Sequence, residues 1–190
     1  AGYTNAGKSS LLNALTDAGV LSYDKLFATL DSTTRKFVLP EGREITLTDT
    51  VGFIQKLPHT LVEAFKSTLD EIVGADLILH VIDASSDERE AQIQSVEEVL
   101  GQIGAHDIKR VEVFNKIDLL GEVEKEALSN RHPDAILVSA LSGAGIDALV
   151  KRIAAVASAH DELISVLVPY SRGDLVSIAH ERALIVLEEH

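Results

Sequence analysis

The chain opens with Gly2-Tyr3-Thr4-Asn5-Ala6-Gly7-Lys8-Ser9, and this spacing of two glycines, a lysine and a hydroxyl restricts the fold more than anything after it. Gly2 and Gly7 let the backbone bend so that successive N–H groups point inward at phosphate oxygens. Lys8 brings a point charge to the β- and γ-phosphates, and the Ser9 hydroxyl can ligate Mg²⁺. Ser10-Leu11-Leu12-Asn13-Ala14-Leu15 then opens a helix whose positive N-terminus faces the anion. The pattern is that of a P-loop. Taken alone it also reads as a glycine-bearing turn before a helix, and the later motifs decide between the two.

A P-loop joins a buried central strand to its helix, yet only Ala1 precedes Gly2. The neighbours of such a strand lose their pairing partner without it. The expectation is therefore a piece of a longer protein whose first strand is missing from this chain. The 190 residues suffice for one sizeable domain with a small appendage. With no Cys, disulfides and thiolate metal sites are excluded. No apolar run reaches the ~18–20 residues of a membrane span, and no signal peptide is visible, so the expected location is the cytoplasm or the periphery of a membrane. A net charge of −13 argues against wrapping nucleic acid by broad electrostatics. Arg35-Lys36 and Lys151-Arg152 are local basic pairs that read as solvated surface.

In chain order, a helix runs from Lys8 to about Asp17, and Leu21 to Thr34 is a loop rich in Ser, Asp and Thr. Lys36–Leu39 and Glu44–Thr48 are strands joined by the turn Pro40-Glu41-Gly42-Arg43. Thr60 caps a helix reaching about Val73. Leu77–Asp83 is an apolar run fit for a buried parallel strand, with His80 as a core histidine. A helix over Glu88–Ile103, a strand Val111–Phe114, a helix Glu122–Ser129, a strand Ala135–Val138 and a helix Ile146–Ala159 follow. This alternation predicts a P-loop NTPase of the α/β class, with a doubly wound, mainly parallel sheet over residues 1–160. Residues 161–190 restart the pattern with strands at Leu163–Val168 and Ala183–Leu187 around a helix Arg172–Arg182, an incomplete C-terminal α/β appendage.

Further motifs follow in the order a GTPase requires. Asp49-Thr50-Val51-Gly52 ends a strand; Asp49 can hold a Mg²⁺-bound water, and the Gly52 N–H can sense the γ-phosphate. Asn115-Lys116-Ile117-Asp118 reads the base, because the Asp118 carboxylate accepts from guanine N1–H and the 2-amino group. Adenine offers neither donor there and would leave a desolvated charge unpaired. Lys116 can lay its stem over the base, and Asn115 can tie this loop to the P-loop. Backbone N–H groups within Ser139-Ala140-Leu141, around Ala140, can donate to guanine O6. Together these residues specify GTP or GDP with Mg²⁺.

The P-loop, Phe27-Ala28-Thr29-Leu30-Asp31 and Asp49-Thr50-Val51-Gly52-Phe53-Ile54 resemble the HflX family of ribosome-associated GTPases. So do Leu57-Pro58-His59, Leu61-Val62-Glu63-Ala64-Phe65, Pro169-Tyr170 and Gly173-Asp174-Leu175, so the resemblance runs across nearly the whole chain. It implies that Phe27–Asp31 lie at the nucleotide and that Thr29 is the switch threonine on Mg²⁺; on the residues alone, Thr33 and Thr34 are equally placed. It also implies binding to the large ribosomal subunit and dissociation or rescue of ribosomes, with ribosomal RNA touched mainly through a domain absent here; the expected oligomeric state is a monomer. A ribosome-assembly or RNA-modification GTPase, or a nucleotide-gated binding module with incidental hydrolysis, are the alternatives.

The catalytic candidates are Lys8, Thr29 and Asn5. Where small Ras-like GTPases place a water-orienting Gln, this chain has Phe53, which predicts slow hydrolysis without a partner. The alternative is that Gln55 or His59 swings in. A P-loop with Asn at position 5 also resembles that of monovalent-cation-activated GTPases, where it helps hold K⁺ beside the phosphates. The competing role for Asn5 is bracing the turn.

Overall fold

The apolar run after Leu77 forms one strand of a three-stranded parallel sheet. In the computed structural model, which describes residues 1–16, 33–50, 52, 71–159, 161, 162, 164–183 and 185–188, it is strand β3 (Ile78–Asp83). β3 pairs in parallel with β4 (Arg110–Asn115), and β4 pairs in parallel with the two-residue β5 (Ile136–Leu137). Parallel neighbours need crossover connections, and helices supply them: α2 (Arg89–Gln102) between β3 and β4, and α3 (Glu122–Arg131) between β4 and β5. The P-loop leads into α1 (Lys8–Thr16), and α4 (Ile146–Ala157) follows β5.

Both faces of the sheet are covered, as the doubly wound reading requires. Val81, Val111, Val113 and Val138 pack with Leu11 and Leu15 of α1 and Leu149 and Ile153 of α4. On the opposite face, Ile78 meets Val96 and Leu100 of α2, while Ile82 and Phe114 meet Leu128 of α3. The alternation of Ile78, His80 and Ile82 against Leu79 and Val81 is the two-residue strand period at work. His80 is buried on the α2 face, its Nδ1 3.8 Å from Glu97, a core histidine as expected.

A second sheet is an antiparallel hairpin of β1 (Thr33–Val38) and β2 (Glu44–Asp49), paired from Thr33↔Asp49 to Val38↔Glu44. The Leu39 N–H donates to the Arg43 carbonyl, and the Gly42 N–H donates to the Leu39 carbonyl, closing the expected turn. At the hairpin tip, Arg43 donates to the Ala157 carbonyl at the end of α4 (2.7 Å) and to the Asp161 carboxylate.

Ala1–Tyr3 run along the free edge of β3. Val81 N–H donates to the Ala1 carbonyl (2.8 Å), and Gly2 forms a parallel bridge with Val81. Between β2 and β3 lies a cleft of about 1030 Å³, floored by Leu11, Leu12 and Leu15 of α1 and Ile153 and Val156 of α4.

The expected strands at Leu163–Val168 and Ala183–Leu187 are corrected by the structure. Among the described residues neither segment pairs with another, and the ordered elements there are a 3-10 turn (Tyr170–Arg172) and α5 (Gly173–Arg182). Alternating apolar residues make a strand only where a partner edge takes the backbone N–H and C=O groups. Ile164, Val166, Leu167, Ile185, Val186 and Leu187 are exposed instead. Of the expected helix Thr60–Val73, residues 71–73 are described and are helical; the remainder, with Phe27–Asp31, Val51, Phe53–Ile54, Gln55 and His59, lies outside the described residues.

Candidate functional site

The motifs lie at one end of the fold: those after β2, β4 and β5 follow the carboxyl ends of strands, where open α/β sheets form their ligand crevice, and the P-loop follows the Gly2 bridge to β3. The P-loop, the end of β2, the end of β4 and the segment after β5 supply them.

The phosphate side is built from the P-loop and Asp49–Gly52. Gly7 has φ of 88°, and a Cβ there would lie 2.3 Å from Asn115 Nδ2, so the position rejects any side chain on both grounds. A Cβ on Gly52 would lie 2.8 Å from Thr4 Cα and 2.9 Å from Lys8 Nζ. Gly52 therefore brings its backbone against the P-loop, where a terminal phosphate would be sensed. Lys8 Nζ donates to the Tyr3 carbonyl (3.2 Å) across the loop. Burial pushes the Lys8 ammonium down to about 8, with Asp49 acting in the opposite direction. Asn5 adopts a left-handed backbone with φ of 61°, a conformation Asn tolerates better than most residues.

The Ser9 hydroxyl donates to Asp49 Oδ2 at 2.5 Å, bringing two hard oxygens together beside Lys8. Mg²⁺ keeps several waters and takes one or two protein oxygens alongside substrate phosphates, so this donor set fits it. Thr50 is buried next to Asp49. Among the described residues no group of three or more His, Cys, Asp or Glu could hold a metal by itself.

The base side is organised by Asn115, which is 2% exposed. Its Nδ2 donates to the Ala6 carbonyl (3.0 Å) and its Oδ1 accepts from the Ala140 N–H (3.0 Å). One amide thus ties the P-loop, β4 and the segment after β5. The Ala140 N–H, expected among the donors to guanine O6, is engaged by this bond. Lys116 has φ of 67°, Ile117–Leu119 form a 3-10 turn, and the Ile117 N–H donates to the Val138 carbonyl (3.2 Å). The Ser139 hydroxyl donates to Asp118 Oδ1 at 2.5 Å and itself accepts from the Ser142 N–H (3.1 Å). The Asp118 carboxylate is exposed and oriented from one side, and Leu141 is exposed beside Ala140.

The structure thus brings together Gly2 through Ser9, Asp49, Thr50, Gly52, Asn115 through Asp118, and Ser139 through Leu141. Thr29 and its neighbours Phe27, Ala28, Leu30 and Asp31, together with Val51, are among the site candidates outside the described residues. One residue that sequence reasoning did not single out is Asp83, the last residue of β3. Its carboxylate accepts from Lys116 Nζ (2.7 Å), the Ser85 N–H (3.0 Å) and the Ser85 hydroxyl (2.6 Å). Burial pushes this carboxyl up, yet the hydrogen bonds from Lys116 and Ser85 outweigh it and hold the group below the usual carboxylate value. Its only signal in the sequence is a charge closing an apolar run.

Residues 1–116 match the family model described as 50S ribosome-binding GTPase. GTPase HflX of Caldanaerobacter subterraneus subsp. tengcongensis is 50% identical over 188 residues, covering 99% of this chain and 43% of that protein. GTPase HflX of Escherichia coli (strain K12) is 47% identical over 154 residues, covering 80% of this chain and 36% of that protein. The chain therefore spans less than half the length of these relatives. Among solved structures, Era in complex with MgGDPNP and nucleotides 1506–1542 of 16S ribosomal RNA superposes with a TM-score of 0.62 at 30% identity, covering 88% of this chain and 57% of that one. A GTP-binding protein from Sulfolobus solfataricus in complex with GDP gives a TM-score of 0.62 at 33% identity, covering 84% and 51%. The chain belongs to the 50S ribosome-binding GTPase family and is similar over nearly its whole length to HflX GTPases.

Proposed function

We propose that residues 1–160 are the GTP-binding and GTP-hydrolysing unit of a switch protein that acts on the large ribosomal subunit, with residues 161–190 a C-terminal appendage. The observation that carries this reading is Asn115, whose single side chain joins the phosphate loop to both base-side segments. The P-loop N–H groups and Lys8 hold the β- and γ-phosphates. Ser9 directly, Asp49 through water, and Thr29 as the resemblance implies, are the residues that would hold Mg²⁺. That ion, when bound, would supply positive charge to offset the charge of the phosphates. Asp118 accepts from guanine N1–H and the 2-amino group while Ser139 fixes its orientation. With the Ala140 N–H engaged by Asn115, the N–H of Leu141 is the donor to O6. The approach of Gly52 to Thr4 and Lys8 supports a backbone sensor of the γ-phosphate.

Hydrolysis by this unit is slow until a partner acts on it, because Phe53 offers no hydrogen bond to an attacking water. Asn5 is the residue that would hold K⁺, and such a cation would supply positive charge to stabilise the leaving group. The family match and the HflX relatives support the ribosome as that partner. The charge of −13 supports ribosomal RNA contacts made mainly through other parts of the protein, which acts as a monomer in the cytoplasm, at the ribosome or peripheral to a membrane. Among the described residues, no helix is long and apolar enough to cross a membrane.

The test is GTP hydrolysis by the full-length protein with and without large ribosomal subunits, together with co-sedimentation. Stimulation by the large subunit, with nucleotide-dependent co-sedimentation, is the expected result. Absence of both would overturn the ribosomal role. A second reading, ribosome assembly or RNA modification, draws on the likeness to Era with its 16S RNA segment; preferential binding to small-subunit RNA or tRNA would favour it.

A further inference from the structure

Lys116 occupies an unusual position. It follows the buried Asn115, takes a left-handed backbone and precedes Asp118 by two residues in one short loop. Its Cε lies 4.0 Å from where a Cβ on Gly7 would be, so the stem runs beside the P-loop glycine. A lysine so placed has two carboxylates to choose from. If its ammonium turned to Asp118, it would occupy the group that reads the base. In the structure it pairs with Asp83 instead, at 2.7 Å.

The scaffold holds Asp83 firmly in place for that purpose. Asp83 is in register with Asn115 in the parallel ladder, and the Ala84 N–H donates to the Asn115 carbonyl at 2.9 Å. Ser85 donates to Asp83 Oδ1 from both its N–H and its hydroxyl, which leaves Oδ2 for Lys116. The pair is partly sheltered, with 18% of the Asp83 side chain and 33% of the Lys116 side chain exposed. That places it above a solvated surface pair in expected coupling.

We infer that Asp83 is a positioning residue for guanine binding: it holds the Lys116 ammonium so that the lysine stem lines the base site and Asp118 stays free for the base. Asp83 touches neither nucleotide nor metal in this account and works only through Lys116. The inference rests on the base-site reading above, and its test separates the two.

The experiment is a double-mutant cycle on the dissociation of a fluorescent GDP analogue from the full-length protein, using Asp83→Ala, Lys116→Ala and the double variant, with Asp83→Asn as a second probe. Asp83→Asn keeps an oxygen for Ser85 and removes the charge that holds Lys116. Asp83→Ala and Lys116→Ala should each speed release about tenfold, whereas Asp83→Ala in the Lys116→Ala background should add less than about twofold. Asp83→Asn should behave like Asp83→Ala, and carries the cycle if Asp83→Ala fails to fold. Equal factors in both backgrounds, or wild-type release by Asp83→Asn, would overturn the inference while leaving the base site intact. Wild-type release by Lys116→Ala would overturn the base-site role of Lys116 and this inference with it.

Discussion

Asn115→Ala should damage stability and nucleotide binding together. The side chain is buried and makes two hydrogen bonds of 3.0 Å, one to the Ala6 carbonyl and one from the Ala140 N–H. Its removal strands a carbonyl in the fully buried Ala6 and an N–H in the half-buried Ala140. Leaving a buried polar group unsatisfied costs about 1–3 kcal/mol. With Ala140 at the lower end, the total is about 2–4 kcal/mol. Urea unfolding of the ligand-free protein reads this directly, as a lower midpoint with an unchanged slope. Because the same amide joins the phosphate and base loops, GDP affinity should also fall, by about tenfold or more. Asn115→Asp sharpens the test. Its carboxylate still accepts from Ala140 but faces the Ala6 oxygen with a second acceptor, so the variant should be at least as unstable at neutral pH. In mild acid, where the carboxyl can donate to Ala6, part of the loss should return. A loss below about 1 kcal/mol in Asn115→Ala, or wild-type stability of Asn115→Asp at neutral pH, would refute the reasoning.

Further outcomes follow from the titrating groups and the P-loop. Lys8 in the free protein loses its proton at about 8 because it is buried, whereas bound phosphate requires the charged form. GDP affinity should thus hold steady up to about pH 8 and fall above it by up to tenfold per unit, a slope that Lys8→Arg removes; steady affinity to about pH 9 would contradict this. Burial above all, with Arg110 acting in the same direction, pushes His80 well below the ordinary histidine value. The folded state therefore refuses a proton that the unfolded chain accepts below about 6.5, and stability falls with pH by up to about 1.4 kcal/mol per unit. His80→Gln should flatten that part of the pH profile, and an identical profile would show that another group sets it. GTP turnover should be faster in K⁺ than in Na⁺ at equal ionic strength, and Asn5→Ala should abolish the difference; equal rates in the native protein would leave Asn5 only its left-handed turn to support.

The parts legible from sequence are those where the chemistry demands contiguous residues. A phosphate cradle needs its glycines, lysine and hydroxyl within Gly2–Ser9, so one short window discloses it. The tie made by Asn115 was readable as a role, but which atoms it joins depends on Ala6 and Ala140, far apart in the chain and brought together only by the sheet. Asp83 escaped notice because its partner Lys116 lies 33 residues on, and a carboxylate closing an apolar strand looks like any strand end. Arg43 is a similar case, since its acceptor at Ala157 is 114 residues away. The hairpin was read well, because its turn and its two-residue alternation are local signals. The same alternation misled in residues 163–168 and 183–187, where apolar spacing suggests strands but no paired edge is present among the described residues. Local pattern proposes a strand, and only a neighbouring edge makes one.

The claim on which the rest depends is that this site reads guanine through Asp118. Its most direct test is Asp118→Asn, with affinities for GDP and xanthosine diphosphate measured on native protein and variant. The native carboxylate, steadied by Ser139, accepts from two guanine N–H donors. The amide presents a donor where guanine also donates, and a partner for the carbonyl that xanthine carries there. GDP affinity should drop at least about a hundredfold while xanthosine diphosphate binds better to the variant than GDP does. Unchanged GDP affinity in Asp118→Asn, with no gain for xanthosine diphosphate, would contradict the account.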